Sequence, residues 1–184
     1  MEIIRCDWCE KDDLYRNYHD EEWGKPVYDD KTFFEFLLLE SFQAGLSWYT
    51  ILKKRENFML AFDNYDYKKI AKYDQKKIDE LLSNGGIIRN KLKILATISN
   101  ALKFQEIQKE FGSFSNYIWN FVNGKTIINH PKTLKEVSAT TEISNLISKD
   151  LKKRGFKFLG STVVYAFMQA TGLVNDHLES CISK

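Results

Sequence analysis

Two prolines and nine glycines are all that punctuate this chain of 184 residues. An all-β fold needs a turn signal roughly every 8–12 residues, so breakers this scarce point to helices. The helical signals are then read in order. Asp29 and Asp30 are placed to cap a helix over 31–43, where Phe33, Phe36, Leu37 and Glu40 fall at helical spacing. Gly45 ends that helix, and Ser47 caps the next, from Trp48 to about Asn57. Asp66 and Asp74 cap two short helices, 67–72 and 75–83. After the turn Asn84, Gly85, Gly86 a long helix runs from about Arg89 to Phe111, with Leu92, Leu95, Ile98 and Leu102 along one stripe. Ser113 caps a segment holding Tyr117, Ile118 and Phe121. A loop follows, with a short extended piece at 126–128. Two late helices, 141–153 and 161–171, flank a turn from Arg154 to Gly160, and a last helical stretch is expected over 175–181. The fold class is all-α, a compact bundle of short helices.

With 43% apolar and 28% charged residues, the chain is neither disordered nor collagen-like, and it is long enough to bury a core without disulfides. The longest uncharged stretch, 158–175, contains Ser, Thr, Gln and Gly, so it reads as a buried helix rather than a membrane span. The opening MEIIRC carries no secretory apolar core, and a cytoplasmic protein is expected. The net charge of +2 hides an asymmetry: residues 1–30 carry a net −6 and the remainder +8. Lys53, Lys54 and Arg55 form one basic cluster, and Lys152, Lys153, Arg154 and Lys157 another. Each is a solvated face or, beside glycine-bearing turns, a surface for a polyanion.

Of three histidines and three cysteines, five sit near the termini: Cys6, Cys9 and His19, then His177 and Cys181. On a helix His177 and Cys181 would share one face. With Cys6 and His19 they could close a tetrahedral zinc site, and four protein ligands would make that zinc structural. Cys9 competes with Cys6, because the two form a C-x2-C pair. The plainer alternative is free buried cysteines and a surface histidine.

Trp8, Trp23 and Trp48 crowd the first 48 residues together with Tyr15 and Tyr18. Glu40 sits among Leu37, Leu38, Leu39 and Phe42, where a carboxylate is costly to bury unless it meets donors or a cation. Glu40 is either a helix-surface residue or the polar group of an aromatic pocket for a flat or cationic ligand. In KKRGFKFLGS, 152–161, Gly155 and Gly160 leave backbone N–H groups free, and Ser161 opens a helix whose N-terminus suits a phosphate.

The segments YHDEEWG (18–24), LESFQAGLSWYTILKKREN (39–57), NGGIIRNK (84–91) and KKRGFKFLGSTVVYAFMQATGLVNDH (152–177) resemble the 3-methyladenine DNA glycosylase I family, of the helix–hairpin–helix DNA glycosylases. The resemblance runs from Cys6 to Cys181. It implies two all-α lobes with a base pocket between them, and one structural zinc held by Cys6, His19, His177 and Cys181. It implies that Glu40, Tyr18 and Trp48 hold the excised base, with Trp8, Tyr15 and Trp23 near it. Gly45 and Leu46 would lie on the loop that probes DNA where the base has left. Lys153, Arg154, Gly155, Lys157, Gly160 and Ser161 would hold the backbone of double-stranded DNA. The place of the lysine in lyase-active relatives falls at or near Thr162, so a monofunctional hydrolase is implied. The superfamily aspartate is displaced to Asp176, which is assigned to orienting His177 or capping a helix.

The implied activity is excision of 3-methyladenine from alkylated DNA, leaving an abasic site. Two rivals are a helix–hairpin–helix DNA-binding module without catalysis, and a zinc hydrolase or deaminase with an open metal position. A monomer is expected.

Overall fold

The computed structural model describes residues 4–184. Ten α-helices and two very short strands follow in order: α1 Asp13–Glu21, α2 Asp30–Gln43, α3 Trp48–Leu52, α4 Arg55–Ala61, α5 Tyr67–Ile70, α6 Gln75–Ser83, α7 Lys91–Phe111, α8 Phe114–Asn120, β1 Ile127–Ile128, α9 Glu142–Lys153, α10 Ser161–Ala170 and β2 Val174–Asn175. The all-α expectation therefore holds for nearly all of the regular structure. Among the described residues, no helix is long and apolar enough to cross a membrane.

The helix starts follow side-chain chemistry. Asp29, Ser47, Asp66, Asp74, Asn90, Ser113 and Thr141 each accept a backbone N–H from the first turn of the helix that they precede. Asp30 does more than begin α2. Its carboxylate accepts N–H groups from Phe114 and Ser115, at 2.9 Å each, and the Gln108 amide at 2.6 Å, so it pins α8 and the end of α7 to the start of α2.

α2 lies at the centre. Phe33, Phe34 and every residue from Phe36 to Phe42 are buried. α3, α7, α8 and α10 pack on it, and the main apolar core is one continuous cluster, with a second small one at Cys6, Leu178 and Cys181. Arg55, at the start of α4, fastens the rim. Its Nε donates to Glu35 at 2.7 Å and its Nη1 to Glu22 at 2.8 Å, joining α4 to α2 and to the end of α1. The expected single helix over 48–57 is accordingly two, α3 and α4, broken at Lys53 and Lys54.

Two further expectations are overturned. Of the stripe Leu92, Leu95, Ile98 and Leu102, the three leucines face solvent and only Ile98 is half-buried against the core; α7 buries Ile94, Ala101, Phe104 and Ile107 instead, together with the polar Lys93, Thr97 and Asn100. Apolar residues occur around the whole helix, so spacing alone could not say which row the core would take. The expected last helix over 175–181 is absent. Val174 and Asn175 pair in parallel with Ile127 and Ile128, and turns follow. Gly172, at φ +69, lets the chain leave α10 beneath the 24–27 segment, where a Cβ would meet the Lys25 carbonyl carbon at 2.2 Å. Gly24 and Val27 N–H groups donate to Gln169 and Thr171 carbonyls there, which seats the N-terminal arm on the end of α10.

Candidate active site

α1, α2, α3 and α10 meet around a cavity of about 300 Å³. Its aromatic wall is Trp8, Tyr15, Tyr18, Trp23 and Trp48. Glu40 and Gln43 come from α2, Ala166 and Gln169 from α10, and Leu134 and Val137 from the loop before α9. The structure thus brings together every residue that the sequence pointed to for the pocket. It adds Gln43, Gln169 and the loop residues, which no motif singled out.

The wall is held edge to face. Trp8 meets Tyr15 with ring centroids 4.9 Å apart and Trp23 at 5.0 Å, while Tyr18 and Trp48 stand 5.3 Å apart at 44°. Tyr49 on α3 donates its hydroxyl to Asp12, whose other oxygen caps α1 through the Tyr15 N–H. That pair fixes the distance between two sides of the cavity.

Glu40 is 3% exposed. Its Oε2 has no hydrogen-bond partner, and neither has the buried Trp48 Nε1. One carboxyl oxygen and one indole N–H are therefore left unpaired at the wall of a single cavity. Buried polar atoms are nearly always paired, so this couple reads as an acceptor and a donor awaiting a ligand. Burial without a cation pushes the Glu40 carboxyl up to about 8.

Behind the aromatic wall, Cys6, His19 and Cys181 bring one ligand atom each within 4.8 Å of one another, and all three are buried. His177 lies beside that trio: its ring centroid is 4.7 Å from that of His19, and its buried Nε2 has no partner. Each imidazole is oriented through its Nδ1, His19 by Asp20 at 2.7 Å and His177 by Asn175 at 3.0 Å. The orphaned Nε2 and two thiols are a donor set that suits a soft divalent ion. Burial keeps the His177 imidazole neutral, with its pKa lowered to about 4, which is the ligating form. Cys9 is turned away, its thiol donating to the Cys6 carbonyl at 3.1 Å. Trp8 and Trp23 pack against this group on one side and line the cavity on the other.

His177 and Cys181 converge through turns rather than on one helix face, with the Cys181 N–H on the Leu178 carbonyl. Asp176 does not orient His177, since that is done by Asn175. Its buried carboxylate is taken by Tyr165 at 2.7 Å, Asn129 at 2.7 Å and Gln169 at 2.8 Å.

On another face the last residues of α9 and the turn to α10 carry Lys152, Lys153 and Lys157 exposed. The N-terminus of α10 has no side-chain cap. Arg154 is already committed within the protein, to Asp150 at 2.7 Å and Glu110 at 2.6 Å, over the rings of Phe111 and Tyr117. Ser161 Oγ is engaged by Asn145 and Ser144. On α2's side, Gly45 and Leu46 form an exposed turn three residues beyond Phe42.

The raised Glu40 pKa has a consequence for stability. Above pH 4.5, its ordinary value, the unfolded chain releases a proton that the folded chain holds up to about pH 8. Stability therefore falls as pH rises through that window. Glu40→Gln removes this slope, and at pH 8 it gains on the order of 3 kcal/mol over the parent relative to pH 5. Urea unfolding at the two pH values measures it; parallel pH profiles for parent and variant would contradict an unpaired Glu40.

Comparison with known proteins agrees with this geometry. The family model described as methyladenine glycosylase matches residues 8–184. The chain is 48% identical over 180 residues to the DNA-3-methyladenine glycosylase of Haemophilus influenzae, covering 98% of this chain and 97% of that one. It is 46% identical over 177 residues to DNA-3-methyladenine glycosylase 1 of Escherichia coli, covering 96% and 95%. A solved structure of 3-methyladenine DNA glycosylase I from Staphylococcus aureus, described as the structural basis of 3-methyladenine recognition, superposes with a TM-score of 0.94 at 40% identity, covering 98% of this chain and 96% of that one. The chain belongs to the methyladenine glycosylase family.

Proposed function

We propose that this chain is a monofunctional DNA glycosylase that takes 3-methyladenine out of alkylated double-stranded DNA and hydrolyses its glycosidic bond, leaving an abasic site for base excision repair. The observation that carries the reading is the unpaired couple at the cavity, Glu40 Oε2 and Trp48 Nε1, among tilted and edge-to-face aromatic rings. A purine edge offers both an N–H donor and a ring-nitrogen acceptor, which answers that couple. The chain is read as one domain of two helical lobes with the pocket where they meet.

Methylation at N3 places positive charge on adenine in DNA and weakens its bond to the sugar. The nucleotide leaves the stack at a cost of a few kcal/mol, least for a weakly stacked lesion. In the cavity Tyr18 and Trp48 face the cationic ring, each contact contributing about 0.5–2 kcal/mol. The arriving charge reverses the burial penalty on Glu40, which gives its proton to solvent and accepts the adenine N–H. Water attacks the sugar carbon, the glycosidic bond breaks, its electron pair neutralises the departing base, and the water's proton passes to solvent as the sugar hydroxyl forms. Among the described residues no amine lines the cavity, and Thr162 is exposed at the start of α10, which supports hydrolysis over a Schiff-base route.

Cys6, His19, His177 and Cys181 would hold one zinc. When bound, it supplies a structural cross-link between the two ends of the chain, with no ligand position open for chemistry. Cys6 lies two residues before Trp8, and His19 directly follows Tyr18, so that cross-link also steadies the aromatic wall. The α9–α10 turn acts as a helix–hairpin–helix that grips phosphates through Lys153, Lys157 and the N–H groups of Gly160 and Ser161; contrary to expectation, the N–H groups of Gly155, Phe156 and Lys157 are already given to Lys152, Leu151 and Asn100. Arg154 contributes by holding the end of α9. The Gly45–Leu46 turn enters the duplex where the base has left.

A DNA-binding module without catalysis has no use for the unpaired couple. A zinc hydrolase needs an open metal position, which a four-residue protein set does not leave.

Base release tests the reading. Methylated DNA incubated with the protein yields free 3-methyladenine by chromatography while 7-methylguanine stays bound. Glu40→Gln lowers the rate at least a hundredfold and weakens free 3-methyladenine at least tenfold by NMR titration. Folded protein that releases no base would overturn it.

The zinc assignment predicts one ion per chain. Chelation lowers the melting temperature by several degrees, and Cys181→Ser loses the ion while Cys9→Ser keeps it. Equal loss in both variants would put Cys9 in the site. For the hairpin, Lys153→Glu with Lys157→Glu weakens duplex binding and flattens the plot of log affinity against log salt by about two units. An unaltered slope would remove the turn from the DNA interface.

A further inference from the structure

α7 carries a stripe of polar side chains that takes no part in the cavity. Lys93, Thr97 and Asn100 are four and three residues apart, so they share one face of the helix, and all three are buried. A buried ammonium is costly unless its N–H groups are satisfied. Lys93 Nζ donates to the carbonyls of Phe42 at 2.8 Å and Ala44 at 2.7 Å. Those groups end α2. The last carbonyls of a helix have no donor within it, and commonly the following backbone folds back to serve them. Here Ala44 turns outward, at φ −49° and ψ 117°, and the Leu46 N–H serves only Gln43. The ammonium stands in for the missing backbone donors and meets the negative end of the helix dipole. The next residues are thereby free to project. Gly45 takes φ +83 with open space where a Cβ would stand, and Leu46 is 40% exposed.

Farther along α7, Asn100 makes a two-way bond with the backbone of the α9–α10 turn. Its Nδ2 donates to the Lys157 carbonyl at 3.0 Å, and the Lys157 N–H donates to its Oδ1 at 2.9 Å. Phe158 follows in a left-handed conformation at φ +58, which this clamp helps to hold. Seven residues of helix separate the two anchors, about 10 Å along the axis.

We propose that Lys93 and Asn100 are positioning residues for base excision: from one face of α7, Lys93 holds the Gly45–Leu46 turn outward and Asn100 holds the Lys157 backbone, so that the two DNA-facing segments keep a fixed spacing. This rests on the glycosylase reading and on its assignment of those two turns to DNA. The turn after α2 meets DNA only once the base has left the stack, so Lys93 acts on the excision step. The basic turn grips DNA throughout, so Asn100 acts mainly on affinity. Neither touches the cavity, so binding of the free base is spared.

The experiment compares Lys93→Met, Asn100→Ala, Leu46→Ala and the double variant Lys93→Met/Leu46→Ala. Three quantities are read: affinity for free 3-methyladenine by NMR titration, single-turnover excision at saturating enzyme, and Kd for an abasic duplex. Lys93→Met keeps the free-base affinity within twofold and loses at least tenfold in excision rate. Leu46→Ala loses a similar factor, and the double variant is no more than twofold slower than Leu46→Ala alone, because both act through one turn. Asn100→Ala raises the duplex Kd at least fivefold, with a smaller loss in the saturated rate. Multiplying losses in the double variant, or a fall in free-base affinity matching the fall in excision, would overturn the proposal. If Lys93→Met does not fold, Lys93→Gln retains one donor and gives an intermediate loss in rate with free-base affinity kept; an intermediate loss shared by both readouts overturns it equally. Parental excision by Leu46→Ala beside an inactive Glu40→Gln would dismiss the probing turn, and the positioning role with it, while the glycosylase reading stands. A parent protein that releases no base would dismiss the glycosylase reading itself.

Discussion

α2 is buried around almost its whole circumference, and the rest of the molecule is arranged to satisfy that. Phe33, Phe34 and the run from Phe36 to Phe42 leave no row for solvent. A helix apolar all round needs cover on every side. α3, α7, α8 and α10 supply it, and the N-terminal arm closes over the end of α10. Glu40 inherits its burial from these neighbours. Its carboxyl is carried inside because it belongs to a helix that cannot be exposed, and its pKa rises because no cation was placed beside it. The same constraint that builds the core therefore builds the chemistry of the cavity.

Polar groups elsewhere in the interior show what a structural role looks like here. Asp176 accepts from three side chains, Asp30 from two backbone N–H groups and an amide, and Asn100 both donates to and accepts from one residue. Glu40 Oε2, Trp48 Nε1 and His177 Nε2 stand apart from that pattern. Two of the three belong to residues that line the cavity, and the third belongs to His177, beside the Cys–His group behind it. Leaving a buried polar atom unpaired costs about 1–3 kcal/mol. At these places the chain supplies no partner of its own, while it satisfies the others. Trp8 and Trp23 link the two places, since each touches the Cys–His group and the cavity.

Much of this was legible from residue types. The caps at Asp29, Ser47, Asp66, Asp74 and Ser113 are short-range chemistry, and they mark helix starts in the sequence as they do in the structure. The aromatic residues and Glu40 are conspicuous because a carboxylate among leucines needs a reason. The choice of face on α7 was not legible. Leucines occupy one row and isoleucine, alanine and phenylalanine another, and the deciding element was a lysine whose two acceptors lie about fifty residues earlier in the chain. The helix expected over 175–181 failed for a similar reason. Its first residues pair with Ile127 and Ile128, a contact that local propensity does not contain.

What the sequence determined by itself was the class of fold, the helix starts and the inventory of reactive side chains, because these follow from interactions within a few residues. What only the tertiary structure decided was partnership. It committed Arg154 to Glu110 and Asp150, gave Asp176 to Tyr165 in place of His177, turned Cys9 away from the group that Cys6 joins, and left Glu40 and Trp48 without partners in one cavity. A side chain's chemistry is fixed by its type, but whether that chemistry is spent or available depends on which distant groups reach it, and that is settled only when the helices pack.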